Sequence, residues 1–242
     1  MIEPSIDVSV VVPTYNERDN AEPLTRRIAA ALAGRPFEIL IVDDASPDGT
    51  EARCVELARE FPLRCIVRRG QRGLATAVIR GLREATGSLA VVMDADLSHP
   101  PEAIPTLLDI MTNPDVQMAV GSRFVPGAAV DLYWPLHRRL NSLAGRILAR
   151  PLTPVRDMMS GFFCVRPAAL RLDSLRPVGY KIALELIVRH GWTRVVETPI
   201  TFADRHAGRT KLSVGEQMRY LRHLWRLYGF VLTGGPRRRR DK

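Results

Sequence analysis

Ala90-Val91-Val92-Met93-Asp94-Ala95-Asp96 is the stretch of this sequence that says most about its fold. The apolar residues predict a buried parallel strand, and the two acids place carboxylates at its carboxyl end, where an open α/β sheet binds its ligand. Carboxylates this close repel each other unless a cation lies between them, and their oxygens suit hard divalent ions such as Mg²⁺. The same spacing also fits an acid pair that caps the next helix, so this segment alone leaves both interpretations open.

Strand and helix patterns alternate on both sides of this segment. Short apolar runs bounded by turn residues predict strands over 8–12, 37–42, 64–67, 89–93, 116–120, 161–165 and 193–197. Helical spacing predicts helices over 19–32, 50–60, 74–85, 101–111, 136–150 and 179–190, and 126–135 is expected to be a loop. The alternation predicts an α/β fold with a mostly parallel sheet flanked by helices.

Composition indicates one globular domain. The chain has 242 residues, of which 46% are hydrophobic and 25% are charged. Cys54, Cys65 and Cys164 lack metal-ligand spacing, and we see no signal peptide, so free thiols in a reducing compartment are expected. No apolar run approaches the roughly 18 residues of a membrane-spanning helix, so the chain is not expected to cross a bilayer.

Polar residues follow three predicted strands that would end at one edge of the sheet. They are Asn16-Glu17, Asp43-Asp44, and the pair Asp94 and Asp96. Convergence of these ends predicts a binding site. The glycine pattern of dinucleotide-binding proteins is absent after the first strand, where Pro13-Thr14-Tyr15-Asn16-Glu17 stands instead, and this disfavours a dehydrogenase.

Several of these blocks together resemble the family 2 inverting glycosyltransferases of GT-A fold, a Rossmann-like architecture. The donor-side blocks are 13–17, 42–50 and 94–101, and the resemblance covers roughly residues 8–212. Within that family the sequence is most similar to the polyprenol-phosphate mannosyltransferases. That likeness rests on Gly121-Ser122-Arg123, 134–142, Asp157 with Ser160-Gly161-Phe162, and 202–212.

The resemblance implies roles for residues of the first half, which would bind a nucleotide sugar. Pro13, Tyr15 and Glu17 would contact the base and ribose, and Asp44 would contact the base or ribose edge. Asp94 and Asp96 would hold Mg²⁺ or Mn²⁺ and the sugar diphosphate. Some relatives have a Gln metal ligand at the position of Ser98, so Ser98 is expected to contribute a weaker hydroxyl or water-mediated contact. His99 and His206 are expected to be ordinary hydrogen-bonded or loop residues.

The second half would bind the acceptor. Arg123 and Arg138 match positions that hold a lipid phosphate in the family, and Arg139 competes with Arg138 for that role. Arg205 and Lys211 resemble a mobile loop that closes on the donor diphosphate. Asp157 is expected either near the reacting centre or as a residue that orients the acceptor loop.

The basic charge is concentrated at the carboxyl end. Residues 201–242 contain 11 Lys or Arg and 3 Asp or Glu, whereas residues 1–200 contain 24 and 23. Ser213-Val214-Gly215-Glu216 is a capping box, and the following helix carries an apolar face and an arginine stripe. Such a helix either lies in the interface of an anionic membrane or packs on the core with a solvated basic face. Nucleic-acid binding is disfavoured because no recognisable binding module accompanies the charge.

The resemblance and these patterns define the expected organisation and activity. Residues 1–212 would form the GT-A domain, with a nucleotide-sugar half over 1–121 and an acceptor half over 122–212, followed by an interfacial helix over 213–232 and a disordered tail over 233–242. The implied reaction transfers mannose from GDP-mannose to a polyprenyl phosphate with inversion, at the cytoplasmic face of a membrane, with a separate anchoring subunit as a potential partner. Alternatives are a UDP-sugar donor, a non-lipid acceptor, or a catalytically silent membrane- or nucleic-acid-binding module.

Overall fold

The computed structural model describes residues 6–130, 136–202 and 214–235, except for the side chains of 130, 136–142, 214 and 216. The strands are β1 Val8–Thr14, β2 Phe37–Asp43, β3 Leu63–Val67, β4 Leu89–Val92, β5 Met118–Ser122, β6 Ala129–Val130, β7 Phe163–Val165, β8 Val195–Pro199 and β9 Thr201–Phe202. The helices are α1 Arg18–Ala31, α2 Thr50–Leu57, α3 Leu74–Glu84, α4 Ile104–Ile110, α5 Leu136–Ala149, α6 Ile182–His190 and α7 Val214–Leu232.

Seven strands form one sheet in the order β3-β2-β1-β4-β7-β5-β8. Every neighbouring pair is parallel except the two pairs that β7 makes, because β7 runs antiparallel to β4 and β5. The prediction of a mostly parallel sheet flanked by helices is confirmed. Because β1 lies between β2 and β4, the polar segments that follow these three strands meet at one edge.

Both faces of the sheet are buried. Alternate residues of a strand point to opposite faces, so Val10 and Val12 pack with α1, α2 and α4, whereas Val11 packs with α3 and α6. This double cover explains the nearly continuous apolar runs in the central strands. Leu224 and Leu227 of α7 join the second of these two cores, so α7 is partly a core helix.

The structure differs from the predictions at several boundaries. The predicted loop 126–135 contains β6, which pairs in parallel with β9. This two-residue pairing depends on a partner about 70 positions away, and local periodicity cannot reveal it. The predicted helix 179–190 begins only at Ile182, because Gly179 adopts a left-handed conformation with φ 77°.

Contacts along α7 attach it to α5 and α6. The Tyr220 hydroxyl donates to the Gly145 carbonyl at 2.7 Å, and the Tyr228 hydroxyl donates to the Leu148 carbonyl at 2.6 Å. His223 and Glu185, both fully buried, form a hydrogen bond of 2.7 Å. Within the described ranges no helix combines the length and apolarity that spanning a membrane requires.

Candidate active site

Asp94 and Asp96 follow β4 directly, and a tight turn holds Asp96. The Ser98 hydroxyl donates to Asp96 Oδ1 at 2.6 Å, and the Ser98 backbone N–H contacts the same oxygen at 3.2 Å. Leu97, between them, has φ 60°, an uncommon conformation for a residue with a branched side chain. Ser98 therefore positions Asp96, and its predicted contact with a metal stays a prediction.

The surroundings of Asp94 leave its carboxylate more accessible. Its side chain is 29% exposed, whereas Asp96 is buried. A Cβ atom on Gly161 would lie 3.1 Å from Asp94 Oδ1, so the absence of a side chain at position 161 leaves room for this carboxylate. The pair thus presents one accessible carboxylate and one that a neighbouring hydroxyl holds in place.

His99 supports the acid pair from below. Its Nδ1 accepts a hydrogen bond from the Asp94 backbone N–H at 3.1 Å, and its ring stacks on Phe162 at 5.4 Å. Burial lowers the pKa of His99, although the charges of Asp94 and Asp96 oppose that shift. The buried hydrogen-bonded position agrees with the expectation for His99.

The turns after β1 and β2 are tied to each other. The backbone N–H of Asn16 donates to Ser46 Oγ at 2.9 Å, and that of Glu17 donates to Thr50 Oγ1 at 3.2 Å. Asn16 and Ala45 have φ values of 58° and 52°, so each turn at this edge contains a residue in the left-handed region. Strained backbone held by surrounding contacts is typical of binding sites.

Asp44 holds the loop that follows β3. Arg68 donates to Asp44 Oδ1 from Nε at 2.8 Å, and the Gly73 backbone N–H donates to Oδ2 at 2.8 Å. Arg68 and Asp44 are both buried. The structure therefore shows Asp44 as a loop anchor, and its contact with the base or ribose stays a prediction.

Arg68 and Arg72 belong to this edge but were not among the predicted site residues. The Arg72 guanidinium lies 4.4 Å from the centre of the Tyr15 ring, so a cation covers one face of that aromatic side chain. The two glycines and three arginines of Arg68-Arg69-Gly70-Gln71-Arg72-Gly73 were the available signal, because this loop follows the carboxyl end of a parallel strand. Glu17 accepts a hydrogen bond from Asn20 Nδ2 at 2.7 Å, and Pro13 lies within β1.

Arg123 and Asp157 form a bidentate ion pair. Arg123 Nε lies 2.8 Å from Asp157 Oδ2, Nη2 lies 2.8 Å from Oδ1, and the Arg123 backbone N–H donates to Oδ2 at 2.9 Å. Burial alone would raise the pKa of Asp157, but the hydrogen bonds and charge of Arg123 lower it below its ordinary value. Glu197 accepts the Asp157 backbone N–H at 2.8 Å. Asp157 is thus a residue that orients Arg123.

This ion pair and the acid pair belong to one electrostatic cluster. The charge of Asp94 acts on Arg123, and the charges of Arg123 and Asp157 act on His99. Lys181, whose ammonium lies 3.9 Å from the centre of the Tyr180 ring, also lowers the pKa of Asp157. The structure therefore brings predicted donor-side and acceptor-side residues together.

Asp94 and Asp96 suit a divalent ion that a substrate helps to bind. In the described part of the chain, no group of three or more His, Cys, Asp or Glu side chains could hold a metal. Mg²⁺ is commonly bound through one or two carboxylates together with substrate phosphates and water, and this pair fits that arrangement. Arg205, Lys211 and His206, and the side chains of Arg138 and Arg139, lie outside the described residues.

Solved structures share this fold. Glucosyl-3-phosphoglycerate synthase from Mycobacterium tuberculosis, in complex with Mn²⁺, UDP and glucosyl-3-phosphoglycerate, matches with a TM-score of 0.69 and 22% sequence identity, over 96% of this chain and 81% of that chain. The same enzyme with Mn²⁺, UDP-glucose and phosphoglyceric acid matches with a TM-score of 0.70 and 21% identity, over 93% and 80%. The α/β architecture is therefore the GT-A fold.

Curated relatives are more similar in sequence. Dolichol-phosphate mannosyltransferase of Pyrococcus furiosus is 44% identical over 91% of this chain, which spans 63% of that longer relative. The enzyme of that name from Saccharomyces cerevisiae is 40% identical over 93% of this chain and 88% of its own length. Undecaprenyl-phosphate mannosyltransferase of Micrococcus luteus is 35% identical over 86% and 88%. Residues 9–174 match the family model described as glycosyl transferase family 2. The chain is a glycosyltransferase and belongs to glycosyl transferase family 2.

Proposed function

We propose that this chain transfers mannose from GDP-mannose to a polyprenyl phosphate with inversion, giving polyprenyl-phosphate mannose and GDP. The relatives named as dolichol- and undecaprenyl-phosphate mannosyltransferases support this substrate pair. The observation that carries the proposal is the juxtaposition of the acid pair with the Arg123–Asp157 ion pair. A metal-bound diphosphate and a second phosphate need such opposite charges side by side.

The donor would bind at the edge formed by β1, β2 and β4. Asp94 and Asp96 would hold Mg²⁺ or Mn²⁺, which would neutralise charge on the leaving diphosphate when bound. Ser98 keeps Asp96 in place, and Tyr15 offers an aromatic surface for the base. Pro13, Glu17 and Asp44 complete the proposed nucleotide contacts. Preorganised charge at the departing group would supply most of the catalysis.

The acceptor phosphate would bind at Arg123. Asp157 uses Nε and Nη2 of Arg123, so the guanidinium is held in one orientation with Nη1 outside the bidentate pair. An acceptor phosphate is already anionic at neutral pH, so positioning matters more than a strong general base. Arg138 is a second proposed phosphate contact, and Arg205 and Lys211 are proposed to close on the donor.

We also propose peripheral binding to an anionic membrane, on its cytoplasmic face. Met218, Leu221 and Trp225 of α7 are exposed, and Trp225 is 78% exposed, although Leu224 and Leu227 of the same helix are buried. Arg222 and Arg226 are exposed on that helix as well. Exposed aromatic and basic side chains on one helix suit a bilayer interface. A separate anchoring subunit stays a potential partner.

The alternative donors and acceptors have a structural basis in the neighbours, one of which is in complex with UDP-glucose and phosphoglyceric acid. The test incubates the chain with Mn²⁺ or Mg²⁺, polyprenyl phosphate in detergent, and either GDP-mannose or UDP-glucose. We expect a glycolipid product from GDP-mannose. Product from UDP-glucose alone would overturn the donor, and transfer to phosphoglyceric acid in preference to the lipid would overturn the acceptor.

A further inference from the structure

A second basic groove lies behind the acceptor arginine. It is a cavity of about 260 Å³ between the last turns of α5 and the segment before β7, lined by Leu143, Arg146, Ile147, Arg150, Arg156 and Met158. The Phe124 ring separates it from Arg123: the Arg123 guanidinium lies 5.4 Å from the ring centre, and that of Arg146 lies 3.8 Å from it. The groove is therefore a neighbour of the proposed acceptor site with its own lining.

The groove carries unbalanced positive charge. The buried Nε of Arg146 has no hydrogen-bond partner among the described residues. Arg150 donates to the Pro154 carbonyl at 2.6 Å, and the side chain of Arg156 is exposed. Glu197 is a nearby acid, but each of its carboxylate oxygens accepts a backbone N–H, from Arg156 and Asp157. A buried donor without a partner is costly unless a ligand or water satisfies it.

Apolar side chains beside the arginines suit a hydrocarbon chain. Leu143 and Ile147 are one helical turn apart and are 45% and 61% exposed, while buried Met158 forms the floor. The bonds from Tyr220 and Tyr228 join this part of α5 to α7, which exposes Leu221 and Trp225. The groove thus continues into the surface proposed to meet the membrane.

We propose that this groove binds the phosphate of an anionic glycerophospholipid, with Arg146, Arg150 and Arg156 around the phosphate and an acyl chain against Leu143 and Ile147. Arginine suits a phosphodiester because its planar group donates several hydrogen bonds. A lipid bound there would direct the adjacent Arg123 towards the bilayer. This inference goes beyond the transfer reaction and does not require it.

The test measures flotation of the full chain with vesicles of phosphatidylcholine, with or without phosphatidylglycerol, at about 0.15 M salt. The groove variant is R150Q/R156Q, and the matched control is R59Q/R80Q, which removes two exposed charges from the opposite half of the sheet. We expect the groove variant to bind phosphatidylglycerol vesicles about tenfold more weakly than wild type and the control to change little. An equal loss in both variants, or no loss in the groove variant, would overturn the proposal.

Further arms separate this site from folding, free phosphate and the acceptor. Thermal unfolding checks both double variants, and R156Q alone replaces the double variant if that one is unstable, because Arg150 also bonds the Pro154 carbonyl. Inorganic phosphate at millimolar concentration should not displace the protein from vesicles, and full displacement would point to a free-phosphate site instead. Transfer to polyprenyl phosphate in detergent should be unaffected in R150Q/R156Q. A selective loss there would assign the arginines to the acceptor, whereas inactivity of wild type would affect only the proposed reaction.

Discussion

Asp94 and Asp96 have different surroundings although they are two residues apart. Ser98 holds Asp96 through a hydroxyl and a backbone contact, whereas Asp94 is supported through its own backbone N–H by His99. Asp94 is therefore the more accessible ligand, and Asp96 is the more rigid one. A site in which neighbours fix the carboxylates before the substrate arrives avoids reorganisation during the reaction.

Removing one of these charges should abolish most transfer. We expect Asp96→Asn to lower kcat by at least about a hundredfold, roughly 3 kcal/mol, because a preorganised metal ligand is lost. Asp109→Asn, at an exposed position on α4, is the control. Transfer rates at saturating Mn²⁺ check this, and full turnover by Asp96→Asn, or by wild type in excess chelator, would contradict the metal role.

The space beside Asp94 offers a subtler test. The added methyl group of Gly161→Ala would lie 3.1 Å from Asp94 Oδ1 and 3.2 Å from His99 Cε1, so the carboxylate must move by a few tenths of an ångström. We expect kcat to fall about tenfold, because misplaced groups lose much of their catalytic effect. Thermal unfolding separates this from a loss of stability. Wild-type kcat in Gly161→Ala would show that the position of Asp94 is not critical.

Asp157 and Arg123 should affect the acceptor rather than the donor. Asp157→Asn keeps the shape of the side chain but removes its charge, and we expect the KM for polyprenyl phosphate to rise about tenfold with donor binding unchanged. Arg123→Ala should have a larger effect on the acceptor and also lower stability, because it leaves Asp157 buried without its partner. Arg138→Ala should resemble it in acceptor use. Weaker donor binding with an unchanged acceptor KM would mean that the two halves are assigned wrongly.

Among the elements, α7 depends on a buried acid of α6. Glu185 accepts the Arg176 backbone N–H at 2.7 Å and pairs with His223 and Arg189. Burial alone would raise the pKa of Glu185, but these partners lower it below its ordinary value. A carboxyl whose folded pKa is lowered stabilises the protein above its unfolded pKa and loses that contribution as the pH falls.

The attachment of α7 should therefore weaken in acid. We expect the free energy of unfolding to decrease as the pH falls below about 4.5, the ordinary pKa of a glutamic acid, and Glu185→Gln to make this dependence shallower. Denaturant unfolding over a pH series measures it, and Glu60→Gln at an exposed position is the control. Identical pH slopes for wild type and Glu185→Gln would exclude this carboxyl as the cause.

For the whole molecule, α7 has two functions that a deletion would confuse. Removing residues 214–242 would take Leu224, Leu227 and His223 out of the core, so weaker vesicle binding could follow from unfolding. Trp225→Ala leaves those residues in place. We expect it to reduce binding to anionic vesicles several-fold and to spare nucleotide binding, because an exposed indole contributes interfacial contact area.

Vesicle flotation at low and high salt measures this effect. Val55→Ala, which changes an exposed apolar residue on α2, is the matched control. Binding that is equal in wild type and Trp225→Ala at every salt concentration would place the membrane surface elsewhere. A loss of the same size in Val55→Ala would indicate a nonspecific effect of surface hydrophobicity.

The sequence by itself determined the alternation of strands and helices, the acid pair, and the edge at which three polar strand ends converge. These features follow from local patterns: apolar runs of strand length, helical spacing, and the rule that parallel strands bind ligands at their carboxyl ends. Family motifs added Arg123 and the sugar-transfer chemistry. The described strands and the family assignment confirm this part of the prediction.

The tertiary structure alone decided which partner each of these residues has. The Asp157–Arg123 pair spans 34 positions, Asp44–Arg68 spans 24, and Glu185–His223 spans 38, and no local periodicity encodes such distances. The same limit hid the antiparallel direction of β7 and the two sides of α7, of which one joins the core and one stays exposed. Such contacts are set by packing and by the need of buried polar groups for hydrogen bonds, and both depend on the folded chain as a whole.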